Sequence, residues 1–149
     1  MKNLILCCMM LLVACDALPR DPAGSSEAIR RHGVMRVGLV LGDGDFGRAA
    51  SARLLDRLSR QTGARAAIRP GATEPLFQAL ERGDVDLVLT PLDPESPWMT
   101  RISLSPPIAT QGRKDKRLDY YAAMRNGENR WIMTVESAAR AVADPGAGQ

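Results

Sequence analysis

The sequence predicts an α/β domain: a mostly parallel sheet with helices on both faces, a returning strand and a C-terminal helix. Two observations carry this. Three short apolar runs, 33–41, 64–70 and 85–92, alternate with two amphipathic stretches, 48–63 and 72–84. A βαβαβ order of this kind gives parallel strands joined by right-handed crossovers. About 115 residues lie between a Pro/Gly/Ser-rich leading segment and a Gly-rich tail, enough for one domain with a real core.

Each element has its own reason. "GVMRVGLVL" (33–41) has few polar residues, as suits a strand buried on both faces. In 48–63, Ala50, Leu54, Leu55 and Leu58 recur at helical spacing and Gly63 stands where a helix ends. Arg53, Arg57 and Arg60 share the opposite face, with Asp56 and Arg60 placed as an i,i+4 pair. "ARAAIRP" (64–70) is a second strand, stopped by Pro70. Thr73 is the expected N-cap of the next helix, with Pro75 in its first turn and Gly83 as its stop. "VDLVLTPL" (85–92) is the third strand. "RISLSPPIAT" (101–110) contains Pro106 and Pro107, which confine it to an edge or a crossing segment. "LDYYAAMRN" (118–126) reads as the returning strand. In 127–143, Trp131, Val135, Ala138 and Val142 mark one face of a final helix.

Gly42, Gly44 and Gly47 spell G-x-G-x-x-G between the first strand and the first of these helices, the setting of a dinucleotide fingerprint. That reading needs an acidic residue about 20 positions on, to hold a ribose. The second strand offers Arg65, Ile68, Arg69 and Pro70 there. The glycines are therefore read as a permissive turn, and no cofactor is expected. Asp43 and Asp45 are half of a calcium loop, but Leu54 stands where its closing Glu belongs. No metal is expected. His32 is the only histidine, so no Ser–His–Asp set can be assembled, and the chain is read as no enzyme. The net charge of +3 is spread rather than concentrated in a stripe, which argues against nucleic acid.

Residues 1–14 carry one positive residue, Lys2, and then a short apolar run from Leu4 to Ala14. Leu12-Val13-Ala14-Cys15 resembles the lipobox of bacterial lipoproteins. That resemblance implies a signal peptide over 1–14, acylation at Cys15 and a lipidated tether over 15–26. The domain proper then spans 27–143, with a flexible tail over 144–149. All three cysteines lie in this leading segment, so the domain beyond it has no disulfide and no thiol chemistry. The expected location is the periplasmic face of a bacterial membrane, and Asp16 after Cys15 resembles an inner-membrane retention signal.

"MRVGLVL", "LFQALERGDVDLVLTPLD" and "RISLSPPIAT" together resemble lobe one of family 3 periplasmic solute-binding proteins. "DYYAAMRNGENRWIMTVESAAR" resembles the segment that returns to that lobe. The resemblance implies a single-lobe, type II periplasmic-binding-protein-like fold, a small-molecule ligand and a membrane transporter of the ABC type as partner. Two departures stand out. Only seven residues separate Thr110 from Leu118, so the second lobe is absent between them. The place where amino-acid-binding members carry an arginine falls near Trp98, with Arg101 three residues later.

In such sheets ligands sit beyond the C-terminal strand ends. The candidate ligand residues are therefore Asp43, Asp45, Phe46, Arg69, Thr90 and Trp98. Trp98 has two readings, a platform for a ligand ring or a core plug. Two functions remain open. One is an anchored solute-binding protein serving a transporter. The other is a ligand-free accessory module docking on a membrane complex, in which Trp98, Arg113, Lys114 and Lys116 would matter.

Overall fold

A six-stranded mixed sheet is the spine of the computed structural model, which describes residues 19–40, 47–93, 95–112 and 117–143. The strands are β1 (Val34–Val40), β2 (Arg65–Gly71), β3 (Leu87–Leu92), β4 (Ile102–Leu104), β5 (Ala109–Gln111) and β6 (Leu118–Arg125). The helices are α1 (Ser25–His32), α2 (Arg48–Thr62), α3 (Thr73–Arg82) and α4 (Asn129–Ala143). A 3₁₀ turn covers Pro97–Thr100. The sheet order is β2-β1-β3-β6-β4, with β5 beside β6. β1, β2 and β3 are parallel; β6 returns antiparallel to β3 and pairs β4 and β5 on its other side.

The βαβαβ half and the returning strand stand as the apolar runs predict. Pro106 and Pro107 separate β4 from β5 on the outer side of β6, as edge prolines should. Between these strands Ser105 Oγ accepts the Ala122 N–H at 3.1 Å. Two local expectations need correction. β2 is not stopped by Pro70 but runs one residue further, to Gly71; as an edge strand it can spare one N–H. Thr73 is the first residue of α3 rather than its cap, and Ala72 holds the capping position without a side-chain hydrogen bond. Gly63 and Gly83 do end their helices in the left-handed conformation.

Because alternate strand residues face opposite sides, the sheet carries two cores. On one face Met35, Leu87 and Leu89 meet Leu54 and Leu58 of α2 and Trp131 and Val135 of α4. On the other, Val88 and Ala123 meet Phe77 and Leu80 of α3, Trp98 and Ile102. Each large apolar side chain buried this way contributes about 1.5–3 kcal/mol.

Residues 19–26, expected from their Pro/Gly/Ser composition to be a tether, are hydrogen-bonded to the fold. Two carboxylates hold them against the start of α4. Glu128 accepts the backbone N–H groups of Ala23 (2.8 Å) and Ser25 (2.9 Å). Asp21 accepts Ser26 N–H at 3.0 Å with one oxygen and Trp131 N–H at 3.0 Å with the other. Asn129 N–H donates to the Arg20 carbonyl, and Arg130 Nε to that of Pro19. The first N–H groups of a helix lack internal partners; here Asp21 supplies one acceptor to each helix and Glu128 supplies another to α1. The expected tether is thus docked from residue 19 onward, and α1 begins inside it.

Glu128 is 2% exposed. Burial raises its pKa, but hydrogen bonds from Ser25 and Ala23 and the nearby Arg125 charge outweigh this and hold it below the ordinary value. Asp21 is lowered in the same way, burial being outweighed by Ser26 and Trp131. A depressed folded pKa gives stability that is complete above the unfolded value and lost as pH falls through the folded one. Urea unfolding should therefore show a flat stability near neutral pH and a decline in acid below about pH 4. Glu128→Gln should remove roughly 2 kcal/mol at pH 7 and flatten the acid decline. An unchanged acid limb in that variant would contradict the assignment.

Candidate functional site

The C-terminal ends of β1, β2 and β3 define one edge of the lobe, and β5 and the start of β6 complete it. Asp119 pairs with Leu92 at the end of β3 and with Thr110 of β5. Its carboxylate gathers three neighbours. Thr110 Oγ1 donates to Oδ1 at 2.6 Å. Arg117 Nε donates to the two oxygens at 2.9 and 3.0 Å. Tyr121 Oη donates to Oδ2 at 3.3 Å. Burial raises the Asp119 pKa, but the Arg117 and Thr110 hydrogen bonds and the Arg117 charge outweigh it, so the carboxylate stays ionised. Burial and the adjacent Asp119 together raise the Tyr121 hydroxyl, which stays protonated as a donor. Arg117 is over half exposed while Asp119 is 13% exposed, so the cation is the movable partner.

The neighbouring residue, Tyr120, points to the other face of the sheet. Its hydroxyl donates to the carbonyls of Val40 (3.1 Å) and Leu89 (3.4 Å), which ties β6 to the ends of β1 and β3. Its ring lies against Gly47: a Cβ at Gly47 would sit 2.6 Å from the ring, and the φ there is +77°. The third glycine of the G-x-G-x-x-G stretch therefore serves packing. It turns the chain into α2 and makes room for Tyr120, a role that needs no nucleotide.

The sequence-predicted site residues fare differently. Arg69 is exposed on the edge strand β2, opposite Gly38. Thr90 is fully buried, its hydroxyl donating to the Pro91 carbonyl at 2.8 Å. Trp98 is 4% exposed. Its Nε1–H donates to Glu74 at 2.8 Å, its ring packs 5.1 Å from Phe77, and the Arg101 guanidinium lies 4.2 Å above it. Arg101 is in turn held by both oxygens of Glu81. Of the two readings of Trp98, this geometry favours the core plug: no ring face is left for a ligand. The structure thus does not bring Arg69, Thr90 and Trp98 into one site. Asp43, Asp45, Phe46, Cys15, Arg113, Lys114 and Lys116 lie outside the described residues.

Sequence reasoning did not single out Thr110, Arg117, Asp119 and Tyr121. The signal was present: Asp119 and Tyr121 are two apart on one strand and therefore share a face. His32 is exposed at the end of α1, as expected. Among the described residues no group of three His, Cys, Asp or Glu could hold a metal ion, and no helix is long and apolar enough to cross a membrane.

No protein-family model matches the sequence. A curated relative, the membrane-bound lytic murein transglycosylase F of Vibrio campbellii, is 31% identical over 112 residues, covering 69% of this chain and 20% of the relative. The chain thus spans about a fifth of the length of the curated relative it matches. Among solved structures, the arginine-bound form of domain 1 from TmArgBP of T. maritima superposes with a TM-score of 0.63 at 18% identity, over 76% of this chain and 96% of that domain. AbpA of Streptococcus pneumoniae, an amino acid ABC transporter substrate-binding protein bound to L-arginine, gives 0.63 at 11% identity, over 80% and 93%. The fold is that of domain 1 of a periplasmic binding protein.

The packing role of Gly47 is measurable. Gly47→Ala adds both backbone strain and a clash with Tyr120, so urea unfolding should show a loss of roughly 2–4 kcal/mol. Gly63→Ala is the comparison: its φ is +72° but nothing lies within 4 Å, so only about 1 kcal/mol should be lost. Equal losses at the two positions would remove the role given to the Tyr120 contact.

Proposed function

We propose that this chain is an exported, lipid-anchored binding module that takes a small solute with a cationic nitrogen group at the Asp119 edge and presents it to a membrane transporter. The observation that carries this reading is the arrangement at Asp119. A single ionised carboxylate, backed by two hydroxyls, already holds a guanidinium, and that guanidinium belongs to the mostly exposed Arg117. A ligand guanidinium or ammonium arriving at this edge would replace Arg117 with little rearrangement. Carboxylate–guanidinium pairs of this geometry are among the stronger polar contacts. The arginine-bound domain 1 of TmArgBP supports the reading from another side, as a domain of this fold crystallised with its ligand. Anchoring rests on the lipobox-like Leu12-Val13-Ala14-Cys15.

A second reading has its own support. The relative from Vibrio campbellii is a membrane-bound enzyme about five times longer than the matched segment, so the matched segment there is one part of a larger machine. With Trp98 built into the core, the lobe would then serve as an accessory module docked on a membrane complex, without a solute of its own.

Thermal unfolding separates the two. With arginine or lysine at 100 times its dissociation constant, the full chain in non-ionic detergent should gain about 2.7 kcal/mol. Asp119→Asn should abolish that gain while the protein stays folded. No shift with any amino acid, organic acid or sugar would leave the accessory reading, which predicts a crosslinked partner in membranes instead. Cys15→Ser should move the protein from the membrane to the soluble fraction. Continued membrane fractionation of that variant would sink the anchoring.

A further inference from the structure

The lower end of the lobe, where the parallel strands begin, has a chemistry of its own. A cavity of about 170 Å³ opens there, lined by Ser25 of α1, Arg36 of β1, Arg82 and Gly83 at the end of α3, Asp86, Arg125 at the end of β6 and Trp131 of α4. Its lining carries three guanidinium groups against the one carboxylate of Asp86. That carboxylate is already occupied. It accepts the Arg36 backbone N–H at 2.8 Å and the Arg36 side chain at 3.1 and 2.5 Å. The other two nearby carboxylates are outside the lining. Asp84 pairs with Arg82 on the surface, and Glu128 is turned to the backbone of Ala23 and Ser25.

Arg125 is the least satisfied of the three cations. Its two contacts are long: 3.5 Å to Ser25 Oγ and 3.8 Å to Glu128. Its side chain is 27% exposed, so water reaches it only in part. Its Nη1 rests against the backbone of Gly83, where a Cβ would lie 2.9 Å away. A guanidinium carries five donors in a planar fork suited to phosphate oxygens. Here one such fork, a serine hydroxyl and two further arginines share one cavity.

The position of the cavity says where an anion would come from. Ala23 lies on its wall, and Pro19, four residues earlier, is held by Arg130, the residue before the cavity-lining Trp131. Pro19 lies four positions beyond Cys15, a span of at most about 14 Å. The Asp119 edge is at the opposite end of β6, about 20 Å from Arg125 along the strand. An acylated Cys15 would therefore bring the cavity end, and not the Asp119 edge, toward the lipid headgroups. At that range the negative surface of a membrane is within one or two screening lengths.

We propose that the Arg36–Arg82–Arg125 cavity is an oxyanion site that takes a phosphate group, supplied on the anchored protein by the headgroup of an anionic lipid. The lipid source rests on anchoring through Cys15; the phosphate chemistry does not. Trp131 lines the cavity, and replacing Trp98 by Phe leaves it the only tryptophan of the chain. Its fluorescence is the readout, on the full chain in non-ionic detergent titrated with inorganic phosphate, and on the chain reconstituted in phosphatidylcholine vesicles with and without phosphatidylglycerol. Phosphate should give a saturable change that chloride at equal ionic strength does not. Arg125→Gln should weaken it at least about tenfold. Arg82→Gln, on an exposed side chain paired with the surface carboxylate of Asp84, should weaken it as well. Phosphatidylglycerol should produce the same change in vesicles. A response to dissolved phosphate alone would overturn the lipid source and leave the site standing. The site itself is overturned if phosphate acts no differently from chloride, or if both variants respond as the parent does.

Discussion

Glu128 and Asp21 sit more than a hundred residues apart, and each supplies acceptors to backbone that the other's segment leaves bare. Their exchange ties the first described residues to the start of the last helix. Everything at the lower end of the lobe depends on it. α1 is eight residues long and has a single buried residue, Ile29, so packing alone gives it little. Short isolated helices are marginal in water. What secures this one is a pair of carboxylates at its first turn. Once α1 is fixed, Gly33 delivers the chain into β1, and the sheet is registered from its lower end.

The same lower end joins polar and apolar links in sequence. Asp86 holds Arg36 with its carboxylate and accepts Trp131 Nε1–H with its carbonyl at 2.8 Å. Trp131 is 1% exposed and packs on the α2 side of the sheet. A surface guanidinium is thereby connected through one residue to the core. The upper end is built differently. Tyr120 ties three strands by hydroxyl-to-carbonyl bonds, while Thr110, Arg117 and Tyr121 converge on one carboxylate at the surface. Rigid backbone beneath and a displaceable cation above is an arrangement suited to exchange of one cation for another.

The parts that could be read from sequence are those governed by near neighbours. The three parallel strands, α2, α3 and α4 follow from apolar spacing, and Gly63 and Gly83 stop their helices where expected. α1 was not legible. Its segment is short and rich in Ser, and the acceptors that stabilise it come from Asp21 and from Glu128 far along the chain. Trp98 was legible as an aromatic beyond a strand end, but its partners Glu74 and Phe77 are on another element, and only the fold brings them together. Thr90 follows the same logic: it lies near the end of an apolar run, yet it is fully buried where β3 pairs with Tyr121 of β6. The Asp119 cluster was hidden because its carboxylate, hydroxyls and guanidinium come from β5, β6 and the residue before β6.

An open lobe buries a small ligand on one side only, whereas effective sites cover most of a ligand's surface. Seven residues between Thr110 and Leu118 are too few to build a second wall at that connection. Tight binding at the Asp119 edge must therefore come from strong contacts rather than enclosure, or from a wall lent by another protein. The two ends of β6 make the second arrangement geometrically coherent. If the lower end lies against lipid, the upper edge projects away from the surface, within reach of the extracytoplasmic face of a neighbouring membrane protein. A partner seated there would close the open side of the site and cover Arg117 at the same time. Excluding water would strengthen the carboxylate–cation contact it encloses. Solute capture and partner docking would then be two aspects of one surface, so the two functional readings compete less than the sequence alone implies.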